Sequence, residues 1–189
     1  LENVRTFHER QLPQEMWFTQ LRDGVMAGEK VTPIERVGLY VPRGKGSFPS
    51  VAMMLAAPAQ VARVPHTIVS TPPGPRGEVD AATLLVASLC GVESVFRVGG
   101  AQAIAALAYG TETVPRVAKI IGPGNIYVSA AKRLLYGRVD VGLPAGPSES
   151  VILADESADP DTVALDLLIE AEHGADSAAV LVTHHVPLA

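Results

Sequence analysis

A single cysteine, Cys90, stands in 189 residues, which excludes an internal disulfide framework and suits a reducing compartment. Charged residues make up only 19% and aromatics 5%, beside a hydrophobic fraction of 48%. So little charge among so much apolar side chain excludes a disordered chain or a coiled coil. No apolar run approaches the roughly 18 residues that a membrane-spanning helix needs, because Gly, Pro or a charge interrupts each one. An excess of cations is missing as well. Against 20 Asp and Glu there are 15 Lys and Arg, a net charge of −5, so no polybasic surface is offered to nucleic acid or to an anionic membrane. Nothing at the start resembles a signal peptide, since the first 15 residues are mixed and charged. The chain begins at Leu1, not Met, and stops at Ala189 directly after an apolar run; it reads as a portion of something longer.

What is present is enough for one domain and a fragment of another, with about 70% of the unfolded surface buried in such a chain. The first 33 residues predict a helix over 1–11, a polar connector and a short extended piece around 28–32. From Arg36 onward β-branched runs alternate with Ala/Leu-rich stretches. Val37-Gly38-Leu39-Tyr40-Val41, Thr67-Ile68-Val69-Ser70, Ser94-Val95-Phe96-Arg97-Val98, Lys119-Ile120-Ile121, Val151-Ile152-Leu153 and Val180-Leu181-Val182 read as strands. Helices are expected between them at 50–62, 80–89, 101–109, 126–135 and 161–173. This alternation predicts βαβ units on a buried parallel sheet, with right-handed crossovers that put every strand-to-helix turn on one edge. Gly142, Pro144, Gly146 and Pro147 forbid a regular element over 137–150, which reads as a crossing between domains. The expected fold is therefore α/β: an N-terminal helix and connector (1–33), a parallel-sheet βαβ (Rossmann-like) domain (34–142), and the beginning of a second, similar α/β domain (143–189).

Three strand ends carry glycine where a polar ligand could approach. These are the turns Tyr40-Val41-Pro42-Arg43-Gly44-Lys45-Gly46-Ser47, Gly99-Gly100-Ala101-Gln102 and Gly122-Pro123-Gly124-Asn125. Glycine admits close approach to the backbone, and the helix start that follows offers N–H groups and a favourable dipole. None matches a dinucleotide fingerprint or a P-loop. Such turns are also how any parallel sheet turns its corners. Three of them, each with an uncharged polar or aromatic side chain (Tyr40, Gln102, Asn125), favour a ligand crevice.

Asp159-Pro160 marks a helix start and Gly174 a stop. Val163, Ala164, Leu167, Leu168 and Ala171 form the expected core stripe of that helix. Glu170 and His173, three apart, fall together on its flank, with Glu172 on the opposite side. Two readings stay open: a carboxylate and an imidazole that share a divalent cation of the zinc kind, or a surface ion pair. His184 and His185 are adjacent and point to opposite faces of a strand. His8 and His66, without an acid or cysteine beside them in sequence, count as structural. Cys90, at an apolar helix end, reads as a buried structural thiol and not as a nucleophile.

Longer runs carry a family likeness. Arg36-Val37-Gly38-Leu39-Tyr40-Val41-Pro42, the stretch from Phe96 through Gly99-Gly100-Ala101-Gln102 to Glu112, Gly122-Pro123-Gly124-Asn125, Pro144-Ala145-Gly146-Pro147-Ser148-Glu149 and Ala171-Glu172-His173-Gly174 closely resemble histidinol dehydrogenases, in order and at compatible spacing. The resemblance implies a zinc-dependent cytoplasmic homodimer that oxidises L-histidinol to L-histidine through the aldehyde, by two successive hydride transfers to NAD. It implies NAD contacts for Tyr40, Gln102 and Asn125, a substrate contact for Ser148, and zinc and substrate contacts for Glu170 and His173. The general-base pair and two further zinc ligands belong to later sequence in that family, so no catalytic base is expected in this chain and the piece alone is expected not to turn over. Two departures stand out. Glu170 occupies a position where the family has glutamine, which adds negative charge to the metal site. Arg43 stands where the family usually has glycine, a cation beside the cofactor crevice that would favour an acidic substrate or alter cofactor contacts. The alternatives are a paralogue acting on another amino or acidic alcohol, and a small-molecule-binding module without redox chemistry.

Overall fold

The computed structural model describes residues 1–43, 46–143, 149–173 and 177–189. The chain divides into two compact units, Leu1–Ala145 and Gly146–Ala189.

The first unit opens with helix α1 (Glu2–Glu9) and an antiparallel hairpin, β1 (Met16–Arg22) and β2 (Val25–Lys30). The sequence reading has only a connector and a short extended piece in this place. Two local signals account for the hairpin: the β-formers Trp17-Phe18-Thr19, and the turn-forming pair Asp23-Gly24 between the strands. Trp17 Nε1 donates across the pair to Glu29 Oε2 at 3.1 Å. Every residue of β1 is exposed, so the period-2 alternation by which a half-buried strand is recognised has no burial to produce it.

The remainder of this unit is an all-parallel sheet. Its strands are β3 (Arg36–Tyr40), β4 (His66–Ser70), β5 (Ser94–Phe96) and β6 (Lys119–Ile121), in the order β5-β4-β3-β6. Helices α2 (Pro49–Val61), α3 (Ala81–Leu89), α4 (Gly100–Tyr109) and α5 (Ile126–Leu135) connect or follow these strands. Alternate residues of β3 serve opposite faces. Val37, Leu39 and Val41 pack with Ala52, Ala56, Ala57 and Ala59 of α2 and with Cys90 at the end of α3. Tyr40 packs instead with Ala103, Ile104, Leu107 and Ala108 of α4 and Val128 of α5. Both faces are covered, as a parallel sheet requires.

The second unit is a single βαβ turn: β7 (Glu149–Ala154), α6 (Pro160–Ala171) and β8 (Ala178–Thr183), its strands parallel from Glu149↔Ala178 to Ala154↔Thr183. Helix α6 packs on both strands. The opposite face presents Val151, Leu153, Val180 and Val182 to solvent, Leu153 being 83% exposed. Within α6 the expected five-residue stripe is narrower than its sequence suggests. Val163 is buried and Leu167 half-buried, whereas Ala164, Leu168 and Ala171 are exposed. Two strands are too narrow to cover more of the helix than one line of side chains. Among the described residues no helix is long and apolar enough to cross a membrane.

Candidate functional site

In the first unit the chain runs outward from β3 to β4 to β5, then returns to place β6 on the other side of β3. The order reverses between β3 and β6. In open parallel sheets a crevice forms there, beyond the carboxyl ends of the strands, because the connections on either side diverge to opposite faces. Tyr40 ends β3, and Gly122-Pro123-Gly124-Asn125 follows β6, so two of the three glycine-bearing turns flank the reversal.

Tyr40 ties all three turns together. Its ring is buried, and its hydroxyl accepts the Gly100 N–H at 3.0 Å, at the start of α4. Its carbonyl oxygen lies so close to Gly122 that a Cβ there would collide with it, and Gly122 has φ +125°, a conformation open only to glycine. Gln102 is exposed and folds back over the same helix start: a Cβ at Gly100 would come within 2.7 Å of Gln102 Oε1. Asn125 is the N-cap of α5, its Oδ1 accepting from the N–H groups of Tyr127 and Val128 at 3.1 Å each. Asparagine is favoured there because it satisfies two otherwise orphaned donors. Helix α4, by contrast, begins at Gly99-Gly100, and its N-cap residue, Gly99, has no side chain to cap it.

Apart from the Gln102 amide, which both donates and accepts, the polar groups left over are of one kind. Tyr40 has accepted a hydrogen bond and retains its hydroxyl proton. The oxygen of Asn125 is occupied and its amide N–H groups remain. Beyond Gly100, whose N–H goes to Tyr40, the first turn of α4 keeps its backbone N–H groups. All are donors, suited to a ligand rich in oxygen acceptors or negative charge.

Lys132 escapes the sequence reading. It lies on the buried stripe of α5 between Val128 and Leu135, is 3% exposed, and donates from Nζ to the Gly122 carbonyl at 2.6 Å. Burial pushes its pKa below the usual lysine range. The signal was there in the spacing: a cation at i+4 from one core residue and i−3 from the next.

Arg43 is not a loose cation in the crevice. Its guanidinium donates to the Glu78 carbonyl at 2.7 Å and pairs with the Glu78 carboxylate at 3.1 Å, while Arg97 holds the Gly77 carbonyl of the same loop at 2.8 Å. The Arg43 charge is thus matched by an acid 35 residues on, a pairing that no local pattern announces. Cys90 is buried and burial pushes its thiol up, away from the thiolate a nucleophile needs. His66 does have an acidic neighbour in space, Glu93 at 2.8 Å, and His8 contacts Gln11 at 2.6 Å.

In the second unit Asp159 caps α6, accepting from the Thr162 N–H at 3.0 Å and from its hydroxyl. Glu170 lies on the line of Val163 and Leu167 that faces the strands, and its side chain is only 14% exposed, against 53% for His173. Glu170 Oε1 is buried and has no hydrogen-bond partner among the described residues; it stands 3.4 Å from His173 Nδ1. Two ligands held about 2.0–2.1 Å from one tetrahedral zinc stand about 3.4 Å apart, so this pair fits two corners of such a site. Among the described residues no third His, Cys, Asp or Glu joins them. His184 and His185 lie just past β8, His184 at 3.6 Å from Glu156. Ser148, expected to contact substrate, lies outside the described residues.

A model of the histidinol dehydrogenase family matches residues 1–189. A histidinol dehydrogenase homolog of Cereibacter sphaeroides is 65% identical over 182 residues, covering 96% of this chain and 41% of that protein. The histidinol dehydrogenase of Synechocystis is 59% identical over 187 residues, 99% of this chain and 43% of that one. The crystal structure of histidinol dehydrogenase from Elizabethkingia anophelis matches the fold with a TM-score of 0.91 at 40% identity, over 99% of this chain and 43% of that chain. The chain therefore spans less than half the length of these relatives. With sequence and fold agreeing from one end of it to the other, the chain belongs to the histidinol dehydrogenase family.

Proposed function

We propose that the whole protein is a cytoplasmic homodimer that oxidises L-histidinol to L-histidine through the aldehyde, with NAD as oxidant and zinc as metal, and that this chain supplies the cofactor crevice and half of the metal ligands. One observation supports the reading: the Tyr40 hydroxyl and carbonyl join the starts of α4 and α5 at the reversal of the sheet, where hydrogen-bond donors predominate. A dinucleotide is the kind of molecule such a donor set binds.

Tyr40, Gln102 and Asn125 would hold NAD, which would supply the hydride acceptor, and Glu170 and His173, with ligands from elsewhere, would hold zinc, which would supply a Lewis acid for the alcohol oxygen. The work of this chain is binding and orientation. Tyr40, Gln102 and Asn125 seat the cofactor, and Glu170, His173 and Ser148 meet the metal and substrate. The proton of the alcohol leaves to a base outside this chain, so the piece alone does not turn over.

The test is the full-length protein given L-histidinol and NAD, with NADH followed by absorbance and histidine by chromatography. Histidine formation that is lost on chelation and restored by zinc is expected. No NAD reduction with histidinol overturns the reading.

A second reading has a specific observation behind it. Glu170 puts a carboxylate, its buried Oε1 without a hydrogen bond among the described residues and 3.4 Å from His173 Nδ1, where the family has a neutral amide, and this change of charge at the metal site supports a related protein acting on a different amino or acidic alcohol. Glu170→Gln in the full-length protein separates the two. Robust histidine formation by the unmodified enzyme removes the second reading; activity with histidinol that appears only on Glu170→Gln establishes it.

A further inference from the structure

A lysine on the core stripe of a helix is a conflict between levels of the sequence. Val128, Lys132 and Leu135 form the buried line of α5, and the other two are aliphatic, as such a line demands. Taking an ammonium out of water costs more than a single hydrogen bond to a neutral carbonyl returns. Among the described residues Gly122 O is the one hydrogen-bond partner of Lys132. A methionine of similar length would fill the same space without that penalty. The ammonium is therefore not there for the stability of the fold.

Its partner explains it. The Gly122 carbonyl closes β6 at the point where the chain leaves the sheet, and Pro123, next in sequence, has no N–H. Gly122 is itself pressed against the Tyr40 carbonyl. The orientation of this one peptide decides where Gly124 and Asn125 fall, and so where α5 begins. Without a donor the carbonyl is buried and unpaired, and the peptide turns to seek one.

We propose that Lys132 is a positioning residue: by holding the Gly122 carbonyl from beneath, it fixes the Gly122–Asn125 turn in the geometry that receives the cofactor, at the expense of fold stability. This rests on the reading of that crevice as the NAD site. A residue acting in this way changes affinity for the cofactor more than the rate of hydride transfer, because it shapes a binding surface without touching the reacting atoms.

The test compares the full-length enzyme with Lys132→Met. Expected are an unchanged or raised thermal midpoint, a KM for NAD raised about tenfold, and a kcat at saturating NAD within about twofold of the parent. A lowered midpoint, failure to fold, or an unchanged KM overturns the proposal, since each makes Lys132 a packing residue only. Amide exchange separates this outcome from the fate of the NAD reading. If the parent enzyme binds no NAD by calorimetry, that reading falls, and the lysine is then judged on the Tyr127 and Val128 amides that Asn125 caps. Their exchange rises about tenfold in Lys132→Met if the turn depends on the ammonium; unchanged exchange overturns the positioning role whatever the ligand.

Discussion

The two units use the same strand–helix–strand grammar to opposite effect. In the first, four parallel strands have helices on both faces, and Leu39, Ile68, Ile104, Leu107 and Ile120 are fully buried. In the second, one helix and two strands bury, among the described residues, a single hydrophobic side chain, Val163, and leave Val151, Leu153, Val180 and Val182 facing water. Local sequence is equally good in both, with β-branched strands and a well-capped helix. The difference lies in layers. A parallel strand pair has two apolar faces and one helix covers only one of them. Secondary structure can thus be well specified where a core is not.

The strongest way to break this comparison is to separate the units. A polypeptide of residues 1–143 is expected to fold alone and unfold cooperatively, because its core is complete. One of residues 149–189 is expected to lose its structure altogether by circular dichroism, since isolated helices and strand pairs of this length are marginal in water. A cooperative transition from the shorter piece would show that one layer suffices. Next in size are two leucines of the same chemistry. Leu107→Ala, at a fully buried site, should lower stability by about 2–5 kcal/mol in chemical denaturation. Leu168→Ala, 59% exposed, should change it by less than about 0.5 kcal/mol.

Much of this contrast could be read before any coordinates. β-Branched runs gave every strand of the parallel sheet, Asp159-Pro160 gave the start of α6, and glycine at strand ends gave the three turns that meet at Tyr40. Local pattern carries no information on which strands lie side by side. That order is decided by packing between distant residues, as where Gly38 leaves room for the Leu107 side chain, whose methyl groups would lie 3.1 Å from a Cβ. The hairpin was missed because burial is what makes alternation visible and its first strand has none. The pairing of Arg43 with Glu78 was missed because charge partners across a loop leave no periodicity. Lys132 is a different case: its spacing placed it on the apolar line, and only the habit of reading lysine as a solvated residue hid it.

A third effect concerns ligands and not stability. In the first unit the donors proposed for a ligand come from several elements that the unit itself holds in place; in the second, the proposed metal ligands are two side chains, Glu170 and His173, 3.4 Å apart. Zinc titrated into the 189-residue chain by calorimetry should bind weakly and lose that binding in His173→Ala, because two ligands leave half of a tetrahedral shell to water. Tight stoichiometric binding would mean that the second unit gathers a fuller donor set than the described residues provide.

The finest test uses a motif that both units share. Asp80 and Asp159 each stand three residues before a threonine, and each carboxylate accepts from that threonine's N–H and hydroxyl: 2.8 and 3.0 Å from Thr83, 3.0 and 2.6 Å from Thr162. The carboxyl of Asp80 is held below the usual range chiefly by the Thr83 N–H, and that of Asp159 chiefly by the Thr162 hydroxyl. A folded-state pKa lower than the unfolded one means that the folded chain binds fewer protons between the two values. Each cap therefore stabilises at and above the ordinary Asp range and loses its effect as pH falls toward the folded value. Asp80→Ala should lower global stability by about 1 kcal/mol at neutral pH, with the gap to the parent closing in acid, because Thr83 is buried and α3 melts only with the core. Asp159→Ala should quicken amide exchange at the start of α6 and leave the global midpoint where it was, because an identical cap on a helix outside the main core reports on that helix alone. Equal shifts of the global midpoint in the two variants would mean that the second unit melts with the first, and that the bare face of its strands does not set it apart.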